Sequence, residues 1–185
     1  MLNSWMDEKE KNIILKYLNS EVVMMEWGSG GSTLEFSKLV NQYYSVEHNL
    51  DWFNQINPQS PPNTKVYYRP STKLPTTYHQ SEYVHYKSYI DIVDMINKKF
   101  DVVLIDGRAR RLCAYKIMSY LKENSIVIIH DWCTRPPYKC VLDYYDLIEK
   151  VDDTPQTIAV FKLKNNWNNI KGYDLSLGSF DRLNE

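Results

Sequence analysis

The chain has 185 residues, with 22 Lys and Arg against 23 Asp and Glu, for a net charge of -1. That length suits one domain, residues 1–185, with a full core, and the interspersed charges leave no electrostatic footprint for nucleic acid. No apolar run approaches about eighteen residues and no basic-plus-apolar leader is visible, so neither a membrane span nor a secretory signal is expected. The three cysteines, Cys113, Cys133 and Cys140, are an odd number. They suit a reducing, cytoplasmic location better than a disulfide framework, and their spacing with His130 matches no common zinc site.

In chain order, residues 7 to 19 carry Ile13, Ile14, Tyr17 and Leu18 at helical spacing, a leading helix within 1–20. The run from Val22 to Thr33 then reads as a buried strand (22–27), a glycine turn and a helix start. Gly28, Gly30 and Gly31 let the backbone turn sharply and approach a ligand. Ser32 and Glu35 have the S-x-x-E spacing of a capping box, which predicts a helix from Ser32 to residue 41. Strand, glycine turn and helix start together describe a site for a nucleotide-like cofactor.

A second strand, 43–47, ends in Glu47, placed to accept the hydroxyls of a ribose. Asn49 caps a short helix through Ile56, the proline-rich 57–63 breaks it, and 65–68 is a third strand. Residues 69–86 have no clear period; loops of that length tend to be lids or binding loops. A helix over 89–96 precedes the continuous apolar strand Phe100–Ile105, which ends in Asp106-Gly107. A helix from Ala109 to Leu121 follows, then a strand over 125–129 ending in His130-Asp131. A closing pair lies near 147–151 and 157–163, and a tail over 164–185 is left unassigned.

The glycine pattern separates two cofactor classes. A dinucleotide fingerprint G-x-G-x-x-G needs glycine at position 33, where this chain has Thr33. The string E-x-G-S-G-G-S-T, followed by Val46-Glu47-His48, resembles motif I and the next acidic residue of class I S-adenosylmethionine-dependent methyltransferases, over roughly residues 20 to 163. The resemblance implies an α/β, Rossmann-like, doubly wound and mostly parallel seven-stranded sheet with a C-terminal antiparallel hairpin. It also implies that the amides of Ser29, Gly30, Gly31, Ser32 and Thr33 meet the methionine carboxylate and that Glu47 holds the ribose. Glu26 would orient the loop beside Gly28 or reach the cofactor's amino-acid end through water, and His48 would lie on the adenine side or simply be exposed.

Glu26, Glu47, Asp106 and His130-Asp131 all end strands, and in an open α/β sheet ligands gather at that rim. The strings V-L-I-D-G-R-A-R and I-I-H-D look like small methyltransferases acting on hydroxyls, including sugar-modifying ones of large DNA viruses and bacteria. In metal-dependent relatives, acidic residues at these strand ends hold a divalent cation such as magnesium or manganese. Asp106 and Asp131 match that pair, whereas His130 stands where another carboxylate is common. A protonated hydroxyl is a poor nucleophile, and a positioned base adds roughly 10²–10⁴-fold. His130 can accept that proton near neutrality, with Asp131 orienting the imidazole, or Asp106 is itself the base; Asp106 and His130 are the favoured pair, and Arg108 meets an acidic group of the acceptor. The plainer reading makes His130 a strand-end residue, Asp131 a cap, and Arg108, Arg110 and Arg111, or at least two of them, a solvated helix face. Trp132, Tyr138 and the tyrosines of 67 to 89 are candidate platforms for an acceptor ring. The leading expectation is a sugar O-methyltransferase of glycan biosynthesis with a small-molecule or oligosaccharide substrate. Other small acceptors (a phenol or carboxylate) and a cofactor-binding module without turnover are the alternatives.

Overall fold

A computed structural model describes residues 5–72, 82–132 and 136–167. Among the described residues are seven strands: β1 (Val23–Trp27), β2 (Gln42–Glu47), β3 (Thr64–Tyr68), β4 (Phe100–Ile105), β5 (Leu121–His130), β6 (Tyr145–Val151) and β7 (Ile158–Leu163). The helices are α1 (Glu8–Leu15), α2 (Gly31–Phe36), α3 (Leu50–Ile56), α4 (Glu82–Ile90), α5 (Ile92–Ile96) and α6 (Arg110–Ile117). The strands form one sheet in the order β3-β2-β1-β4-β5-β7-β6. β3, β2, β1, β4 and β5 pair in parallel, and β7 runs antiparallel to both β5 and β6. This is the doubly wound sheet with a closing hairpin that the sequence leads one to expect. Strand order reverses between β1 and β4, the position at which ligands of open α/β sheets gather.

The central strands are apolar on both faces because both are covered. Alternate side chains divide between two cores. Met24, Val102, Leu104 and Ile128 meet Ile13, Ile14 and Phe36 on one side. Met25, Val103, Ile105 and Ile129 meet Tyr89, Ile90, Leu112 and Ile117 on the other. Each fully buried side chain of this size contributes about 1.5–3 kcal/mol, which fixes the strand tips relative to one another. Asp7 caps α1, with Glu10 completing its capping box, and Ile13 and Ile14 seat that helix against the sheet.

Several local expectations change; among them, the helix expected to reach residue 41 ends at Phe36 and that expected to reach Leu121 ends at Ile117. α2 starts at Gly31 with Gly30 as its cap, and the Thr33 hydroxyl accepts from the Gly30 amide at 3.0 Å. The Ser32–Glu35 box does not form, because the Ser32 hydroxyl donates to Glu26 and Glu35 lies 3.7 Å from Lys11. The helix expected over 89–96 begins earlier and is two helices, α4 with non-helical backbone at Tyr86 and α5 with Asp91 before it. Part of the expected loop 69–86 is therefore helical; residues 73–81, Cys133 and most of the tail lie outside the described residues. Among the described residues, no helix is long and apolar enough to cross a membrane.

Candidate active site

Glu26 is fully buried at the end of β1. Its carboxylate accepts from the hydroxyls of Ser32 (2.5 Å), Thr33 (2.5 Å) and Ser45 (2.8 Å). Those three residues come from α2 and β2, so Glu26 ties the glycine loop to both neighbours. Burial pushes its pKa from 4.5 up to about 7, against the opposing pull of the three hydroxyls.

Only one glycine of the loop needs its conformational freedom. Gly28 has φ 103°, and a Cβ there would lie 2.7 Å from the Gly107 backbone. The tips of β1 and β4 thus pack main chain to main chain. Gly30 has an extended φ of -169°, and a Cβ on it would meet nothing nearer than the Ser32 hydroxyl at 4.0 Å. Its value lies in open space beside the loop, and Gly31 begins the helix.

Glu47 ends β2 and is 3% exposed. Its Oε1 accepts from the amides of His48 (2.8 Å) and Asn49 (2.7 Å), which pins the carboxylate at the strand tip and leaves Oε2 outside those bonds. The His48 ring packs edge-on against Tyr86 and Tyr89, with centroids 5.7 and 5.8 Å away. Tyr89 is fully buried, and its hydroxyl has no hydrogen-bond partner among the described residues. That hydroxyl lies against Gly107, where an added Cβ would stand 2.0 Å from it.

At the tips of β4 and β5 the geometry revises the expected catalytic pair. His130 is 3% exposed, with Nδ1 2.7 Å from Asp106 Oδ1 and Nε2 3.2 Å from Glu10 Oε2. Burial lowers its pKa, but the hydrogen bond and charge of Asp106, then Glu10 and Asp131, outweigh this and leave it above 6.5. Two carboxylates, one at each ring nitrogen, favour the protonated imidazole, and they leave no free nitrogen to take a substrate proton. Glu10, fully buried in α1, also accepts from the Thr154 hydroxyl at 2.5 Å. In sequence it shows only the spacing of a helix cap.

Arg110, expected on a solvated face, is 8% exposed. The left-handed backbone of Ala109, φ 53°, turns the chain into α6 just ahead of it. Its Nε donates to the Gly107 carbonyl (2.9 Å), one terminal nitrogen to the His130 carbonyl, and the other to the Asp106 carbonyl at 3.0 Å. That last nitrogen lies 2.9 Å from Asp131 Oδ2 and 3.4 Å from Asp106 Oδ1. The two carboxylates expected to share a divalent cation share a guanidinium instead, so the residues do not fit a metal between them. Among the described residues, no group of three or more His, Cys, Asp or Glu is placed to hold a metal ion.

Arg108 is exposed beside Gly107, and Arg111 is half-buried. Trp132 is not available as a platform: it is 8% exposed and packs edge-on against Phe161 at 4.7 Å. The structure therefore brings Gly28, Glu26, Glu47, His48, Asp106 and Asp131 to one rim. It adds Glu10, Arg110 and Tyr89 to them.

Among solved structures, the chain is similar to a methyltransferase-like protein from Silicibacter pomeroyi. The two share 20% identity at a TM-score of 0.68, over 98% of this chain and 96% of that one. The fold is that of the class I methyltransferases. A TehB-like SAM-dependent methyltransferase from Corynebacterium glutamicum matches at 13% identity and TM-score 0.56, over 84% of this chain and 87% of that one. A Streptococcus mutans protein solved in complex with SAH matches at 10% and 0.55, over 86% and 100%. No protein-family model matches the sequence, and a search of curated proteins returns no match.

Proposed function

We propose that this protein is an S-adenosylmethionine-dependent O-methyltransferase acting on a sugar hydroxyl in glycan biosynthesis in the cytoplasm. The observation that carries this reading is Asp106. Its side chain is 24% exposed at the β4 tip, one residue from the Gly107–Gly28 contact at the switch point, and held there by His130. The methyl donor is supported by the similar folds, one described as SAM-dependent and one solved with SAH.

The rim fits that donor in its residue chemistry. Glu47 would hold the ribose through Oε2, and the amides of Ser29, Gly31 and Ser32 would meet the methionine carboxylate, while those of Gly30 and Thr33 are bonded within the loop; the buried hydroxyl of Tyr89 lacks a partner beside them. Glu47 is nearly closed off at the strand tip, so binding there requires a neighbouring side chain to move. The non-helical backbone at Tyr86 (φ -113°, ψ 18°) provides a place to bend. When bound, the donor supplies an electrophilic methyl group on a sulfonium.

The remaining work falls to this chain's residues. Transfer is an in-line displacement, in which alignment supplies much of the rate. Asp106 Oδ1 is held by His130 Nδ1, which leaves Oδ2 to accept the hydroxyl proton. The His130 imidazole keeps that carboxylate in place, and Glu10 keeps the imidazole in place. Arg108, exposed at the turn, meets an acidic group on the acceptor. A sugar is supported by the resemblance of Y-S-V-E-H and I-D-G-R-A-R to sugar-modifying enzymes. A carboxylate acceptor fits less well, since it would approach Asp106 and Asp131.

The test is a mass-spectrometric screen of sugar acceptors with isotope-labelled donor. Label transferred to a sugar hydroxyl supports the reading. Donor binding by calorimetry without transfer to any acceptor would make the protein a binding module instead.

A further inference from the structure

Five ionisable side chains alternate in sign across the tips of β4 and β5: Glu10, His130, Asp106, Arg110 and Asp131. Three of their side chains are nearly closed to solvent, Glu10 at 1%, His130 at 4% and Arg110 at 9%, whereas Asp106 and Asp131 keep 24% and 19%. The groups around the guanidinium are all oxygens. They are the carboxylates of Asp106 and Asp131 and the main-chain carbonyls of Asp106, Gly107 and His130. Carboxylates and carbonyls converging on one point are the donor set of a hard divalent cation. Here a charged side chain occupies that point.

We infer that Arg110 is the built-in cation of this rim, and that methyl transfer here proceeds without a divalent metal. A planar guanidinium with several fixed donors can bridge two carboxylates and three carbonyls at once. It neutralises Asp131, sets the Asp106 carboxylate and laces β4 to β5. Ala109 (φ 53°) and Asp131 (φ 58°) both take left-handed backbone at the ends of this bridge, a conformation non-glycine residues keep only where their surroundings impose it. Arg110 is thus a positioning residue acting through Asp106. Its effect on transfer rests on the function proposed above; its occupation of the cation position does not.

Wild-type protein titrated with Mn²⁺ and followed by the EPR signal of the free ion should show no saturable binding. Its methyl transfer should persist in excess chelator. Arg110→Ala should gain a Mn²⁺ site, read as loss of free-ion signal and a Mn²⁺-dependent rise in melting temperature, and its transfer should become metal-dependent. Arg110→Lys keeps the charge without the fork; it should bind no Mn²⁺ and lower kcat with little change in KM. Saturable Mn²⁺ binding by the wild type that Asp106→Asn abolishes overturns the inference. So does wild-type transfer lost to chelator, or a folded Arg110→Ala chain with no affinity for Mn²⁺. If Arg110→Ala does not fold, the wild-type titration decides. Absence of transfer to every acceptor, with the Mn²⁺ results as expected, would remove the proposed reaction and leave Arg110 in the cation's place.

Discussion

Glu26→Gln tests how the glycine loop is held. The Glu26 carboxyl is fully buried and titrates near 7 in the folded chain against an ordinary 4.5. A raised carboxyl pKa means that the folded state prefers the protonated form. Its contribution is therefore fully present below 4.5 and is lost as pH rises through about 7. At about 1.4 kcal/mol for each tenfold change in proton affinity, the loss is about 3 kcal/mol by pH 8. Glutamine keeps the shape and cannot ionise, and the Ser32, Thr33 and Ser45 hydroxyls can each donate or accept. Urea unfolding at pH 5, 6, 7 and 8 should show wild-type stability falling across that range and the variant falling distinctly less. His130, whose pKa is also raised, contributes a decline of the same sign to both chains, so the difference between them isolates Glu26. Asp91, Glu149 and Asp153 are held below their ordinary values and lose their contributions only at lower pH. A wild type that gains stability between pH 5 and 8, or a variant with the full wild-type decline, would refute the reasoning.

Gly28→Ala should destabilise the fold by at least about 1–3 kcal/mol, since φ 103° disfavours any side chain and its Cβ would strike the Gly107 backbone; a thermal melt checks it. Glu47→Ala should weaken donor binding by more than about 1 kcal/mol, the scale of a hydrogen bond to a charged group. An unchanged dissociation constant by calorimetry would remove Glu47 from the site. Asp106→Asn should lower kcat roughly 10²–10⁴-fold, the scale of a positioned base, while donor affinity stays near wild type. Undiminished turnover would place the base elsewhere.

The strand–glycine–helix run, the carboxylates at successive strand ends and the closing hairpin are legible from the residues alone, because each rests on neighbours in the chain. Apolar runs bounded by turn residues set the strands, and position at a strand's end places Glu26, Glu47, Asp106 and His130 on one rim. Gly28 is legible only in part: its turn is local, but the Gly107 backbone packed against it belongs to a distant strand. What its neighbours do not determine is which way a polar side chain turns. Ser32 has the spacing of a cap and turns to Glu26, because an adjacent buried carboxylate needs donors more than a helix end does. Trp132 follows His130-Asp131 in sequence but fills the core beside Phe161.

Glu10 and Arg110 depend on tertiary structure altogether. Glu10 reaches His130 across 120 positions of sequence, a contact made when Ile13 and Ile14 seat α1 on the sheet. Arg110 points inward because Ala109 turns left-handed, and because the carbonyls at the tips of two strands and the Asp131 carboxylate converge on its guanidinium. In sequence, Arg108, Arg110 and Arg111 are three similar charges; burial makes one of them the rim's cation. Periodicity and turn chemistry are local and legible, whereas the pairing of buried charges is decided where distant segments meet, because a charge removed from water must find its partner there.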